Sequence, residues 1–564
     1  MTNGQIIEIL ELTISLMELH EENAFKIRAL QNAVFNLDKL SQPLGTLAQE
    51  ELAAIEGVGK GIAAKITEIN ASGTTQELQQ YLAQTPVGVL DLLKIKGIGP
   101  KKVRTLWKEQ GIESLGALEK ACVAGEVALL KGFGAKTQET ILKSVRFIQQ
   151  SLGKFLYAEI EPVALAIEEK LKALSVAPFM ELSGAVRRKM EVVEYIQFVA
   201  AVDDRTAVVD ALDTVDWLQK NEATSGPFVW RGHDKESGHE VEIKVYLPDQ
   251  VAVQWLINSS GQAHRQALVA EGKNAGKDWR KSSFESEEAV YAALGMAYIV
   301  PEYREGFKEI QQAKENTLPE LLRLDELKGI FHNHTTYSDG KNTLEEMAVY
   351  CRDLGYQYLG ISDHSKTAAY ANGLQEYRVV KQQQEIDVLN RTMAPFRIFK
   401  GIESDILADG SLDYSEEVLK TFDFIVASIH SGLNMEVQKA TDRLITAIEN
   451  PYTTMLGHMT GRLLLRREGY PVDHRKIIDA CAENNVIIEI NAHPYRLDMD
   501  WRWIDYALDK GVVLSINPDA HETAGYHDMK YGVYTARKGG LTASQTFNAW
   551  PLEKIEAWLA AKKK

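Results

Sequence analysis

From about Leu327 onward, short apolar runs recur and each stops at a histidine or a carboxylate: GIFHNHT, YLGISDH, IFKGIES, FDFIVASIH, TTMLGH, VIIEINAH and VVLSINPDAH. Each is followed by a segment of helical periodicity. Strands alternating with helices predict a βα barrel whose strand ends meet in one mouth, and seven runs predict seven strands. His332 and His334 are two positions apart, as are Asp519 and His521, so on a strand each pair faces one side. The chain opens differently. MTNGQIIEILELTISLMELH places Ile6, Leu10, Ile14 and Met17 at helical spacing among Glu8, Glu11 and Glu18, an amphipathic helix rather than a signal peptide.

A second pattern recurs before residue 150. IEGVGKGIAAKI, IKGIGPKKVRTL and LKGFGAKTQETI each lead from an apolar residue through Gly-x-Gly into a helix. The glycines are Gly57 and Gly59, Gly97 and Gly99, Gly132 and Gly134, with Lys60, Lys101, Lys102 and Lys136 just beyond. Glycine allows the tight turn, and a helix start offers free N–H groups to an anion. A phosphate backbone gripped without base reading is the ligand this pattern predicts.

The length of 564 residues predicts about three or four domains. A composition 45% hydrophobic and 25% charged excludes long disorder, and no apolar stretch reaches the roughly 18 residues of a membrane span, so a cytoplasmic protein is expected. Cys122, Cys351 and Cys481 form no CxxC and leave an odd number, which fits a reducing compartment. The net charge of −16 argues against a surface wholly given to nucleic acid. Lys94 to Arg146 is the exception, with eleven Lys or Arg against five Glu and no Asp.

The chemistry concentrates at the strand ends. His332, His334, Asp339, His364, Glu403, His430, His458, Asp519 and His521 are nine metal-ligand side chains from a chain with only 13 histidines. Imidazole and carboxylate together suit zinc or manganese better than magnesium, and Glu403 and Asp519 are able to bridge ions as phosphoester cleavage requires. Arg462 and Arg496 follow two strand ends and are candidates to steady a phosphate; each equally suits a structural ion pair. Lys366 and His493 are weaker candidates of the same kind.

HNHTTYSDG, ISDH, GIESD, SIHS, GHMTGR and SINPDAH resemble the motifs of the PHP (polymerase and histidinol phosphatase) domain. That resemblance implies a distorted seven-stranded barrel, three divalent ions and phosphoesterase chemistry. It also implies the ligand sets: His332, His334, Glu403 and Asp519 for one ion, Glu403 with His430 and His458 for a second, and Asp339, His364 and His521 for the third. The three Gly-x-Gly repeats look like helix-hairpin-helix motifs of DNA repair proteins, and ENAFKIRALQNAVFNL resembles the opening of family X DNA polymerases. In members with lyase activity a lysine forms a Schiff base, and Lys65 falls at that position.

The middle of the chain departs from this second family. MELSGAVRRKMEVVEYIQFVAAVDD resembles its nucleotidyltransferase signature, with Gly184-Ala185 in place of Gly-Ser and with Arg187 and Arg188 kept as DNA-facing candidates. Tyr195 and Gln197 replace two metal-binding aspartates, and Glu242 replaces the third. Hard cations need anionic oxygen, so little or no polymerase activity is expected. The whole chain thus resembles a bacterial family X polymerase with an appended PHP domain. The expected multidomain order is helical domain 1–82, hairpin domain 83–150, degenerate α+β palm and thumb 151–315, linker 316–326, and a (β/α)7 barrel over 327–564. This implies a monomeric metal-dependent 3′-5′ exonuclease, with abasic-site cleavage in some relatives, acting on gapped duplex or single-stranded 3′ ends in base excision repair. Gap-filling polymerase, a histidinol-phosphatase type of enzyme, and a noncatalytic DNA-end scaffold are the alternatives.

Overall fold

Thr2 starts the first helix with a reciprocal cap: its hydroxyl accepts from the Gln5 amide while the Gln5 side chain accepts from the Thr2 amide at 2.9 Å. The computed structural model describes residues 1–40, 42–95, 97–274, 276 and 278–563, and divides into two units, Met1–Leu152 and Gly153–Lys564. Lys96, within the basic segment, lies outside the described residues.

The first unit is helical: α1 (Asn3–Leu19), α2 (Ala24–Leu37), α3 (Gln49–Ala54), α4 (Lys60–Ser72), α5 (Gln76–Gln84), α6 (Val87–Leu93), α7 (Pro100–Arg104), α8 (Leu115–Val123) and α9 (Gly134–Ser151). Ile6, Leu10 and Met17 of α1 are buried with Leu30, Val34, Ala63 and Ile66 of α2 and α4, so the amphipathic stripe read from the sequence is a core face. The hairpin helices α6 to α9 share a separate core around Leu92, Val103, Leu106, Leu118 and Ile141.

The second unit begins with helix α10 (Tyr157–Ala173) against a five-stranded sheet of β1 (Phe179–Ser183), β2 (Ile196–Ala201), β3 (Leu218–Lys220), β4 (Val229–Asp234) and β5 (Glu240–Tyr246), in the order β1-β2-β5-β4-β3. Only the central β2/β5 pair is parallel. The segment read as a linker is tied down, because Leu322 is buried and its amide donates to Leu541 O at 2.9 Å.

The barrel follows: β6 (Gly329–Ile330), β7 (Tyr358–Ile361), β8 (Arg397–Asp405), β9 (Phe424–Ser428), β10 (Met455–Leu456), β11 (Ile487–Asn491) and β12 (Leu514–Asn517). These seven strands pair in parallel and in sequence order, and a bridge between Asn333 and Ala520 joins the two ends. Inward positions alternate along each strand. Phe331, Tyr358, Phe399 and Phe424 fill the interior with Phe547 and Trp550 from the C-terminal segment. Gly360 and Gly401 make room for them, since a Cβ would come within 2.3 Å of Phe331 and 2.2 Å of Phe424. The ladder of interior positions then ends in chemistry: Phe399, Gly401, Glu403 on β8, and Phe424, Val426, Ser428 on β9 with His430 two residues beyond its end. An aromatic plug is therefore the floor of the mouth.

Palm and barrel pack through polar contacts, some of them buried. Glu191 accepts from Trp501 Nε1 at 3.0 Å and pairs with Arg502 at 3.0 Å. Lys538, 1% exposed, pairs with Glu305 at 2.7 Å and donates to Arg188 O at 2.9 Å.

Candidate metal centre

Glu403 is fully buried where β8 reaches the mouth, and five imidazoles surround it. Its Oε1 lies 3.2 Å from His332 Nε2, 3.1 Å from His430 Nε2 and 3.0 Å from His458 Nε2. Its Oε2 lies 2.9 Å from His364 Nδ1 and 3.6 Å from His334 Nε2. Asp519 Oδ1 is 3.0 Å from His334 Nε2 and 3.5 Å from His332 Nε2. Asp339 closes the other side, 3.5 Å from His521 Nε2 and 3.7 Å from His364 Nε2. All nine side chains singled out from the sequence fall in this cluster. Their donor atoms form overlapping sets: His334, Asp339, His364 and His521; His332, Glu403 and His458; His332, His334 and Asp519; His364, Glu403 and His430.

One expectation is corrected. His332 and Asp519 are not strand residues, because the ladder stops at Ile330 and Asn517. Both adopt left-handed backbone, φ 58° and 53°. A non-glycine residue there costs about 1–2 kcal/mol, and it is this turn, fixed by His334 N donating to Ala520 O at 2.8 Å, that sets both pairs into the mouth.

The donors fit divalent cations. His332 Nε2, His334 Nδ1, His364 Nδ1, His458 Nδ1 and Glu403 Oε2 are buried without a hydrogen-bond partner. Such atoms cost roughly 1–3 kcal/mol each when left unsatisfied, and those of His332, His364 and Glu403 lie within the cluster of nitrogen and oxygen donors. The field points the same way. Burial opposes charging His430, yet Glu403 and Asp405 overcome it and raise its pKa to about 10. Burial likewise opposes charging His521, and Asp339 and Asp519 raise it to about 9. Burial alone would raise the Asp339 carboxyl, but His521, His334 and His364 hold it down at about 2. Burial, then His521 and His364, lowers the pKa of His334 to about 3, and burial with Arg496 lowers that of His458, so neutral and charged imidazoles stand together around the carboxylates.

Sequence reading missed the side chains that aim the ligands. Glu489, on β11, accepts from His332 Nδ1 at 2.5 Å and from the His458 amide at 2.7 Å. Asp405 accepts from His430 Nδ1 at 2.6 Å. Donating Nδ1–H to a carboxylate leaves Nε2 to face the cluster and makes it a stronger donor. Asp363 holds the loop carrying Asp339, accepting from the Thr335 amide at 2.8 Å and from Gln382 at 2.6 Å. The available signal was position: Asp363 adjoins His364, Asp405 follows Glu403 by two, and Glu489 is an acid inside an apolar strand.

The arginines divide. Arg462 is absorbed structurally, donating to Asp500 at 2.5 Å, to Arg496 O at 2.8 Å and to Leu497 O. Arg496, on the loop so held, reaches Asp519 at 3.3 Å. Lys366 pairs outward with Glu376 at 2.8 Å. His493 takes the Tyr495 amide on Nδ1 at 3.3 Å, and burial lowers its pKa to about 4, so it is neutral near pH 7.

Family comparisons agree with this layout. A PHP domain matches residues 331–493, a helix-hairpin-helix domain 1–75 and a SAM-like helix-hairpin-helix tandem 89–146. The DNA polymerase/3′-5′ exonuclease PolX of Bacillus subtilis is 33% identical over 99% of both chains. The chain belongs to the PolX family. A probable phosphatase of Thermoanaerobacter is 26% identical over 41% of this chain and 94% of its own. Another, from Caldicellulosiruptor saccharolyticus, is 31% identical over 34% of this chain and 78% of its own.

In the palm of this PolX chain, Glu242 is the one acid among Tyr195, Gln197 and Glu242. Gln197 and Glu242 are neighbours across β2 and β5, and the Gln197 amide donates to Glu242. Arg231 takes the other oxygen at 2.6 Å, and Lys244 lies 3.3 Å away. Burial would raise the Glu242 carboxyl, but Gln197, Lys244 and Arg231 keep it below the usual range. Tyr195 is 40% exposed and adds no anion. A single carboxylate already neutralised by two cations does not fit a pair of hard ions. Arg187 is likewise committed, bidentate to buried Glu287 at 2.7 Å and stacked on Trp255 at 3.3 Å. Arg188 pairs with Glu305 at 3.3 Å and borders a cavity of about 550 Å³ shared with Lys244 and Arg265.

The hairpins of this PolX chain are of two kinds. Gly57 and Gly97 turn at φ 79° and 87°, and Gly59 and Gly99 then cap α4 and α7. Lys60 opens α4, and Lys101 and Lys102 lie in the first turn of α7. The third copy differs. Gly132 and Gly134 both have positive φ, a short 3-10 turn at Val127–Leu129 replaces the first helix, and Lys136 is in the first turn of α9. Lys65 on α4 is half-buried and paired with Glu77; burial, then Lys26, lowers its pKa.

Proposed function

We propose that the barrel is a metal-dependent 3′-5′ exonuclease acting on DNA ends, serving excision repair, and that the palm contributes shape rather than nucleotide transfer. The enclosure of Glu403 by five imidazoles, with buried donors left unpaired, carries this reading. His332, His334, Glu403 and Asp519 would hold one ion, Glu403, His430 and His458 a second, and Asp339, His364 and His521 a third, with zinc or manganese the best match to the donors. Bound ions supply Lewis-acid polarisation of the phosphoryl group and lower the pKa of water. Glu489 and Asp405 keep the imidazoles aimed, the aromatic plug closes the floor against water, and Arg496 sets a positive charge beside Asp519 for a phosphate oxygen.

DNA is the substrate this reading favours. Gly57, Gly59, Lys60, Gly97, Gly99, Lys101, Lys102, Gly132, Gly134 and Lys136 form backbone grips that a phosphatase of metabolites does not need. The relatives called probable phosphatases match 41% and 34% of this chain, where the PolX relative matches 99%. Lys65 is the lysine we assign to Schiff-base chemistry at abasic ends, since a lowered pKa favours the neutral amine. The lyase assignment predicts borohydride-dependent trapping on a 5′-incised abasic duplex, lost in Lys65→Ala; trapping that persists in the variant removes it.

The nuclease is tested by stripping the protein with chelator and restoring manganese or zinc on 5′-labelled DNA. Shortening from the 3′ end is expected only after restoration, and Glu403→Gln should lower it at least about a hundredfold. Shortening by the stripped protein would exclude the reading. Primer extension with manganese is expected to be absent, and unchanged by Glu242→Ala.

A further inference from the structure

Beside the cluster, the loop after β7 carries a tyrosine that the chemistry above does not use. Tyr370 is 71% exposed, yet its neighbours Ala368 and Ala371 are buried. The backbone beneath it is fixed. Thr367 donates to Asp413 at 2.7 Å and to Asp405 at 3.0 Å, the same carboxylate that aims His430. The Leu374 amide donates to His364 O at 2.9 Å. Gly373 packs so tightly that a Cβ would meet Ser365 O at 2.0 Å. A bare ring is thus held out on a rigid turn, although single exposed aromatics are in general unremarkable.

Its direction sets it apart. The ring centroid lies 6.2 Å from that of His364, and the hydroxyl end feels the charges of Asp405, Glu403, Asp339 and Arg496. Tyr370 therefore reaches over the mouth. Tyr495, by contrast, is stacked on His493 and covered by Arg466 at 3.8 Å. A phosphodiester held at the mouth carries its base one sugar away from phosphorus, a span that a ring beside the cluster can meet.

Resting on the exonuclease reading, we propose that Tyr370 is a specificity-determining residue that stacks on the nucleobase of the terminal nucleotide. Base stacking on an aromatic side chain is tolerant of sequence, as a nuclease that removes successive nucleotides needs. It also separates polynucleotide ends from small phosphate esters that have no base.

The test compares manganese-loaded full-length wild type, Tyr370→Phe and Tyr370→Ala on two oligonucleotides, one with an ordinary 3′-terminal nucleotide and one ending in a base-free tetrahydrofuran residue. The expected result is that Tyr370→Ala raises KM for the ordinary terminus roughly tenfold or more while leaving the base-free terminus unchanged, and Tyr370→Phe behaves as wild type. Equal loss on both termini, no loss on either, or a Tyr370→Phe defect as large as that of Tyr370→Ala overturns the stacking role. Ion content and melting temperature of each variant distinguish misfolding from the absence of stacking. Wild type that removes neither terminus defeats the exonuclease assignment itself, a pattern that failure of the tyrosine proposal alone does not produce.

Discussion

At the residue scale, the chemistry depends on which ring nitrogen faces the ions. Glu489 and Asp405 decide this for His332 and His430 by accepting their Nδ1 protons at 2.5 and 2.6 Å. Asp405→Asn and Glu489→Gln, which keep size but remove charge, should each weaken ion binding or activity by about 10–100-fold. Competition titration with a chromogenic chelator checks this, and unchanged affinity would show that the ligands aim themselves. Nearly all of the nine ligands were legible because they close apolar runs, where a polar side chain needs a reason; Asp339, in a polar loop, is legible from its motif. Their anchors were not, since an acid such as Glu489 inside IIEIN has no recognisable partner until the barrel brings His332 beside it. Arg462 reads from the sequence as a phosphate contact or a structural ion-pair partner, and only packing brings its donors to Asp500 and to the Arg496–Leu497 backbone.

At the element scale, alternation and helical period located the seven strands and the hairpin helices, while backbone turns escaped. The left-handed turns at His332 and Asp519, and the altered third hairpin, depend on residues distant in sequence. The two regular hairpins predict a salt-dependent grip. Replacing Lys60, Lys101 or Lys102 by Ala should lower DNA affinity across all sequences and reduce the slope of log affinity against log salt by about 0.9 for each phosphate no longer neutralised. Unaltered slopes would remove these lysines from the interface. In the palm, Glu287 is buried between Arg187 and Arg304; burial opposes its charge, but the two guanidiniums bring its pKa down to about 2. A depressed folded-state pKa stabilises above the unfolded value of 4.5 and is lost as pH falls through about 2. Glu287→Gln should therefore cost about 3 kcal/mol at neutral pH, and the deficit relative to wild type should shrink on acidification in denaturant titrations.

At the scale of the whole second unit, palm and barrel are joined by Glu191 with Trp501 and Arg502, and by Lys538 with Glu305. Removing Glu305 strands two cations, Lys538 and Arg188. Glu305→Gln should destabilise the second unit by about 3 kcal/mol or more, with palm and barrel signals lost together in hydrogen exchange. Loss confined to the palm would mean that the seam carries little. A palm whose Glu242 is paired with Arg231 and Lys244, kept against the barrel by contacts that include the buried Lys538–Glu305 pair, fits the proposal that the chemistry resides in the barrel. The most direct measurement is degradation of 5′-labelled single-stranded and gapped DNA in manganese by wild type and by the His332→Ala, His334→Ala double variant, with bound ions counted in both. Shortening from the 3′ end by wild type, and its loss in the variant together with ions, is predicted; a variant that degrades DNA as fast as wild type would contradict the account.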